Sequence, residues 1–266
     1  MTAAVSSLPD LSSPFLVDAD TVSSFASKGH ACIRRLASAE EVAAFAPAIL
    51  QAAEASRRDF RPIEERETYG KAFLQMSNLW QVDPVVHAFS FARRFASVAA
   101  RLLGVDGVRM YHDQALIKEP GGGITPWHQD QTFWPFDSDR TITMWMPLVD
   151  VPAEVGTMTF ANGTHQMGHL GALGISDETE ISFTEMIEER GFELETHGAL
   201  AAGDATFHAG WTLHSAPANP TQFSRPVMTV IYFADGVRVK EASSFFEKLD
   251  LSAWLDNAEA GSLAGG

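Results

Sequence analysis

The sequence predicts a mainly β fold with packed helices, built on a double-stranded jelly roll with its helices at the N-terminal end. Three observations predict it. Apolar residues recur at helical spacing up to about Leu103, the period changes to two from Val108 onward, and turn-forming residues divide the second part into about seven or eight short strands. Helices followed by a run of strands is the pattern of a sheet pair with helices packed on one outer face.

The elements follow in order. Asp18 or Asp20 caps a short helix that runs through Phe25 and stops at Gly29, His30 to Leu36 is a strand, and Ser38 caps a helix from Ala39 to about Ser56. Arg57 to Tyr69 is a stretch of mixed charge, read as a solvated loop or, alternatively, a flap over a site. Pro84 opens a core-facing helix that Gly104 closes after Leu103, with Phe91 and Phe95 widening its apolar face. In the strand from Val108 to Lys118, Tyr111, Asp113, Ala115 and Ile117 share one face and His112, Gln114, Leu116 and Lys118 the other. Polar side chains facing inward in such a fold line a ligand cavity. Further strands are Arg140 to Val151, Gly156 to Phe160, Phe192 to Thr196, Ala205 to His208, Thr212 to Ser215 and Pro226 to Phe233. A final helix, Ser244 to Leu255, buries Phe245, Phe246 and Trp254.

The length of 266 residues and the 45% hydrophobic content support one domain over 1–266, with no linker or internal repeat and with 1–13 and 257–266 flexible. A net charge of -15, with 19 Lys and Arg scattered along the chain, supplies no basic stripe for nucleic acid. The lone Cys32 excludes an intramolecular disulfide and, within Ala31-Cys32-Ile33, reads as a buried thiol. No apolar run is long enough for a membrane span and no signal segment is visible, so a cytoplasmic setting is expected; oligomeric state leaves no trace.

The chemistry centres on Gly121 to Gln131, Gly-Gly-Gly-Ile-Thr-Pro-Trp-His-Gln-Asp-Gln. His128 and Asp130 are two apart, so on extended backbone an imidazole and a carboxylate project from one face, with Trp127 and Gln129 pointing the other way. Two histidines and a carboxylate, with the remaining positions open, form the facial triad of non-haem Fe(II) oxygenases. A third ligand has to come from a distant strand, and His208 and His214, flanking Gly210, are both placed to supply it. Arg225, eleven residues beyond His214, favours His214: a guanidinium returning on the neighbouring strand is a bidentate anchor for a carboxylate facing the same cavity.

Tyr111 to Lys118, Trp127-His128-Gln129-Asp130, Met144-Trp145-Met146-Pro147-Leu148, Asn162-Gly163-Thr164-His165, and His214 with Arg225 together resemble the phytanoyl-CoA dioxygenase-like family of Fe(II)- and 2-oxoglutarate-dependent oxygenases. The resemblance runs from about Phe73 to Phe233 and implies a cupin-like jelly-roll core. It implies His128, Asp130 and His214 as iron ligands and Arg225 as the anchor of the distal carboxylate of 2-oxoglutarate, with Gln114, Thr143 and Trp145 completing the cosubstrate pocket and dioxygen as the oxidant. His165 and His208 are left with structural roles. Asn162-Gly163-Thr164-His165 stands where Pro-Gly-Ser-His is usual in the family, and the position two after His214 is Ala216, where a hydroxyl residue is frequent.

The reaction implied is oxidative decarboxylation of 2-oxoglutarate to succinate coupled to oxidation of a substrate C–H bond. Related halogenases lack the carboxylate ligand, so Asp130 restricts the outcome to hydroxylation, desaturation, cyclisation or epimerisation. Phe73, Gln75, Trp80, Phe133, Trp134 and Trp211 are expected to shape a pocket for a small or medium-sized organic molecule such as a natural-product intermediate, under a lid from Gly168 to Gly191. The rival readings are a cupin-like metal-dependent hydrolase or isomerase, which has no need of Arg225, and a non-catalytic binding relative, which has no need of an intact triad.

Overall fold

The computed structural model describes residues 8–155, 157–171 and 174–265. Asp18 accepts the Thr21 N–H at 2.7 Å and starts α1 (Ala19–Lys28), which Gly29 ends at φ 88°. β1 (His30–Ile33) is shorter than His30 to Leu36, because Arg35 turns the chain at φ 53° and its N–H is taken by Asp204 at 2.8 Å. Ser38 and Glu41 form a capping box that opens α2 (Ala39–Ser56) at the expected boundaries. α3 (Thr68–Ala72) and β2 (Leu74–Ser77) follow.

The helix expected from Pro84 to Leu103 is two helices, α4 (Pro84–Ser90) and α5 (Arg93–Leu103). Ala92 is extended at φ -60°, ψ 120°, and two contacts hold the break: Ser90 donates to Asp113 at 2.6 Å, and the Arg94 N–H donates to the Leu11 carbonyl at 3.0 Å. Apolar periodicity runs through the break, which is why it does not interrupt the sequence pattern. Phe91 is turned outward, 45% exposed, while Phe89 and Phe95 are fully buried.

Eight strands follow among the described residues: β3 (Val108–Lys118), β4 (Thr125–His128), β5 (Thr141–Pro147), β6 (Thr159–Ala161), β7 (Leu194–Thr196), β8 (Ala205–Ala209), β9 (His214–Ala216) and β10 (Arg225–Ala234). The expected Gly156 to Phe160 strand is this β6, with Gly156 outside the described residues. They form two antiparallel sheets, β1-β8-β5-β10-β3-β2 and β4-β9-β6-β7, so the jelly roll stands. Trp145 and Val227 of the large sheet pack against Phe160 and Ala216 of the small one. Period two divides the large sheet: Phe207, Met144, Val230 and Ala115 face the helices, packing with Phe45, Phe89 and Phe95, and the alternate residues face the small sheet.

One bulge breaks this alternation. The β3–β10 register passes from His112↔Ile231 to Met110↔Tyr232, leaving Tyr111 unpaired, so Tyr111 leaves the Asp113 face and packs with Trp134, Phe136 and Phe233.

Both ends of the described chain are tied down, against the expectation of flexible ends. Leu11 is buried, and Ala264 is buried with its N–H on the Val237 carbonyl at 2.9 Å; residues 1–7 and 266 lie outside the described residues. Arg57 to Tyr69 is exposed over most of its length, as a solvated segment should be, but Arg66 within it is buried and pairs with Glu119, and Tyr69 lines the cavity described below. The segment 168–191 contains α6 (Asp177–Arg190), whose Phe183 and Ile187 pack on Trp127 and Leu213; Ala172 and Leu173 lie outside the described residues. In α7 (Phe245–Trp254) Phe245 is 71% exposed, because the helix lies over a cavity mouth rather than in a core.

Candidate metal centre and oxygenase site

His128 ends β4 and His214 begins β9, and the two are paired in register across the small sheet. Asp130 follows in a short 3₁₀ turn (Asp130–Phe133). This turn brings Asp130 Oδ1 to 3.6 Å from His128 Nε2 and 3.7 Å from His214 Nε2, and one ligand atom from each of the three lies within 4.8 Å of the others. The opposite ring nitrogens are fixed by backbone: His128 Nδ1 donates to the Pro126 carbonyl at 2.7 Å and His214 Nδ1 to the Thr212 carbonyl at 2.9 Å. Both Nε2 lone pairs therefore point toward Asp130 Oδ1. The other carboxylate oxygen is occupied. Oδ2 accepts the Thr143 hydroxyl at 2.8 Å and the His208 Nε2–H at 3.0 Å.

The protonation states suit a metal. Burial, followed by the neighbouring imidazole, lowers the pKa of His128 and of His214 to about 4, so both are neutral lone-pair donors at neutral pH. Burial acts to raise Asp130, but His214, the His208 hydrogen bond and His128 outweigh it and hold the carboxyl well below the usual range. An ion about 2.1 Å from each donor is shared by pairs up to about 4.2 Å apart, and the 3.6 and 3.7 Å pairs meet that limit. Two neutral imidazoles and one carboxylate on one side of a cavity is the donor set of a facial triad with open positions.

The triad opens on a cavity of about 560 Å³. All four residues expected at the cosubstrate, Gln114, Thr143, Trp145 and Arg225, line it, though Thr143 is engaged with Asp130. Arg225 is buried, its guanidinium carbon 5.0 Å from the Trp145 ring; burial lowers its pKa to about 9, which leaves it cationic at neutral pH. Trp145 stands two residues from Thr143 on β5, about 7 Å along the strand.

Of the expected substrate walls, Phe73, Gln75, Phe133 and Trp134 line the cavity. Trp80 does not: it packs edge-on to His87 and Phe91 near the surface, and Trp211 packs against His169. Sequence reasoning missed His208 as the partner of Asp130, although its place opposite Thr143 follows from the β5–β8 register. It also missed Asp250 of α7, which lines the cavity. Nothing in the local sequence marks that residue.

The family model of phytanoyl-CoA dioxygenase (PhyH) matches residues 25–227. The chain belongs to the phytanoyl-CoA dioxygenase family. It is accordingly an iron- and 2-oxoglutarate-dependent oxygenase. Among curated proteins none matches it in sequence. Solved structures do. The non-haem α-ketoglutarate-dependent carbocyclase SnoK from nogalamycin biosynthesis superposes with a TM-score of 0.78 at 23% identity, covering 96% of this chain and 97% of that one. The epimerase SnoN, in complex with Fe3+, α-ketoglutarate and nogalamycin RO, gives 0.75 at 25% identity over 93% and 95%. EctD from S. alaskensis, with 2-oxoglutarate and 5-hydroxyectoine, gives 0.68 at 18% identity over 97% and 90%. Among the described residues no helix is long and apolar enough to cross a membrane.

Proposed function

We propose that this phytanoyl-CoA dioxygenase family member is one catalytic domain that oxidises a C–H bond of a small or medium-sized natural-product intermediate, with His128, Asp130 and His214 holding the iron and Arg225 holding 2-oxoglutarate. The observation that carries the reading is Asp130 Oδ1 facing two imidazole lone pairs in the same cavity as a buried arginine. Bound iron with 2-oxoglutarate and dioxygen supplies the oxidising chemistry. The chain's own residues position and shield. Thr143 and His208 fix Asp130 so that one oxygen is offered to the metal, Arg225 over Trp145 takes the distal carboxylate of the cosubstrate, and Gln114 closes that pocket. Phe133, Trp134 and Trp254 wall the substrate side against water.

Asp130 fills the position a halide needs, which supports hydroxylation, desaturation, cyclisation or epimerisation over halogenation. Likeness to a carbocyclase and an epimerase of one biosynthetic route supports a natural-product substrate. Adding 2-oxoglutarate anaerobically to the Fe(II)-loaded protein is expected to give a weak visible charge-transfer band, and admitting oxygen to release succinate. Absence of both would leave the hydrolase or isomerase reading standing instead. A substrate screen on succinate release then names the molecule, because the right one accelerates turnover.

A further inference from the structure

The cavity holds a second polar group away from the metal. Register places His208, Thr143, Ile231 and His112 in one row across β8, β5, β10 and β3, and Thr143, Ile231 and His112 all line the cavity. Adjacent strands lie about 4.8 Å apart, so His112 stands about 10 Å from Thr143, the residue that holds Asp130. His112 is buried, its Nδ1 without a hydrogen-bond partner among the described residues, and its ring stacks on Trp254 with centroids 5.3 Å apart. Burial lowers its pKa to about 3, so it is a neutral imidazole with a lone pair to offer.

Asp250, one helical turn before Trp254, lines the same end of the cavity. It accepts the Tyr111 hydroxyl at 2.8 Å on Oδ2 and the Trp254 indole N–H at 3.0 Å on Oδ1. Burial raises its pKa to about 7, the two hydrogen bonds act the other way, and among the described residues no cationic side chain lowers it. The bulge at Tyr111 serves this arrangement by turning that side chain toward α7. Each carboxylate oxygen has one neutral donor and capacity for another. The aromatic side chains of Trp254, Phe133, Trp134 and Phe246 line the same cavity. A half-buried carboxylate with no cationic partner among the described residues, sharing a cavity with aromatic side chains and a neutral imidazole, is complementary to one kind of group.

We propose that Asp250, His112 and the aromatic side chains lining that end of the cavity form a substrate subsite for a protonated amine, at the His112 end of the row and about 10 Å across the sheet from Thr143. The subsite rests on the oxygenase reading only in taking this cavity for the substrate site. Asp250 acts as a specificity-determining residue. An ammonium supplies the missing countercharge, donates to a free lone pair of each partner and lies against the ring faces, whereas a neutral hydroxyl supplies no charge.

The test compares 2-phenylethylamine with its neutral counterpart 2-phenylethanol, added anaerobically at pH 8 to protein loaded with Fe(II) and 2-oxoglutarate, with binding read by calorimetry and by tryptophan fluorescence. Wild-type protein is expected to prefer the amine by about 10-fold or more, the scale of a charge-assisted hydrogen bond. Asp250→Asn is expected to abolish the preference while still binding the alcohol, and His112→Phe to reduce it. Equal binding of the two probes to wild type, preference for the alcohol, binding of neither, or an undiminished preference in Asp250→Asn would each overturn the proposal. The wild-type comparison needs no variant to fold. The charge-transfer band, recorded on the same samples, reports the oxygenase reading separately: a band without amine preference sinks the subsite alone, and amine preference without a band sinks the cofactor assignment alone.

Discussion

Replacing Thr143 by valine tests whether Asp130 is a metal ligand held from behind. The hydroxyl donates to Asp130 Oδ2 at 2.8 Å, and the only other donor there among the described hydrogen bonds is His208 at 3.0 Å. A hydrogen bond to a charged acceptor contributes about 1.5–3 kcal/mol. Valine keeps the shape, sets a methyl group against the carboxylate oxygen, and leaves Asp130 free to rotate about its remaining bond. If that orientation is what presents Oδ1 to the ion, metal affinity falls about 10- to 100-fold, the range found for partners of metal ligands. The assay is anaerobic titration with Mn(II), which binds such a site without turnover, followed by calorimetry. Thr206→Val is the control, because Thr206 is also buried on the large sheet but its hydroxyl has no hydrogen-bond partner among the described residues, Asp130 included. Metal affinity within about twofold of wild type for Thr143→Val, or an equal loss in the control, would refute the reasoning.

Arg225→Ala is expected to raise the 2-oxoglutarate requirement at least 10-fold in succinate-release assays, with Arg225→Lys between the two because an ammonium loses the bidentate grip. Gly210→Ala is expected to destabilise by about 1–3 kcal/mol in urea unfolding, since an added Cβ runs into the Thr141 hydroxyl and the Gln131 amide, and metal affinity should fall with it. Asp250 sets a pH dependence. Its folded pKa of about 7 exceeds the ordinary 3.8, so between about pH 4 and pH 7 the folded state holds a proton that the unfolded state has released, and stability falls as pH rises through that window. Asp250→Asn lacks this term, so its stability relative to wild type should rise by at most about 4 kcal/mol from pH 4 to pH 7 and then level off. Unfolding curves at both pH values check it. Phe89→Ala, which empties a fully buried ring position between α4 and the large sheet, is expected to cost about 3–5 kcal/mol without changing metal affinity relative to the folded protein.

The readable part of this chain is what local chemistry decides. Asp18, Ser38 and Gly29 announce their helix ends because capping is a contact within a few residues. His128 and Asp130 are legible as a pair for the same reason, since extended backbone puts alternate residues on one face. What stays hidden depends on partners far along the chain. The break at Ala92 follows contacts with Leu11 and Asp113, and the shift of Tyr111 comes from a bulge that only its pairing with β10 defines. His208 looks like one more strand histidine until the β5–β8 register sets it opposite Thr143. Asp250 lies on an amphipathic terminal helix where a carboxylate reads as solvent-facing, and only the docking of α7 over the cavity half-buries it.

Strand register also sets the working distances of the site. Along β5, Thr143 behind Asp130 and Trp145 under the Arg225 guanidinium are two residues apart; across the sheet, Thr143 and His112 are two strands apart. The first is about two residue rises and the second two strand spacings, so neither depends on a loop conformation. A one-residue slip of β10 against β3 would bring Ile231 opposite a helix-facing residue and would separate His112 from the row of Thr143. Val230, buried on the other face of β10, opposes that slip, since it would be driven into the cavity. The core on the helix side therefore fixes the geometry on the catalytic side. Beside His112 and Gln75, which the sheet carries, the cavity wall is completed by elements that do not belong to the sheet: α7, and the segment that brings Gly174 and Ile175 to it. Variation in α7 can then change which molecule is bound while the positions of His128, Asp130, His214 and Arg225 stay set by pairing.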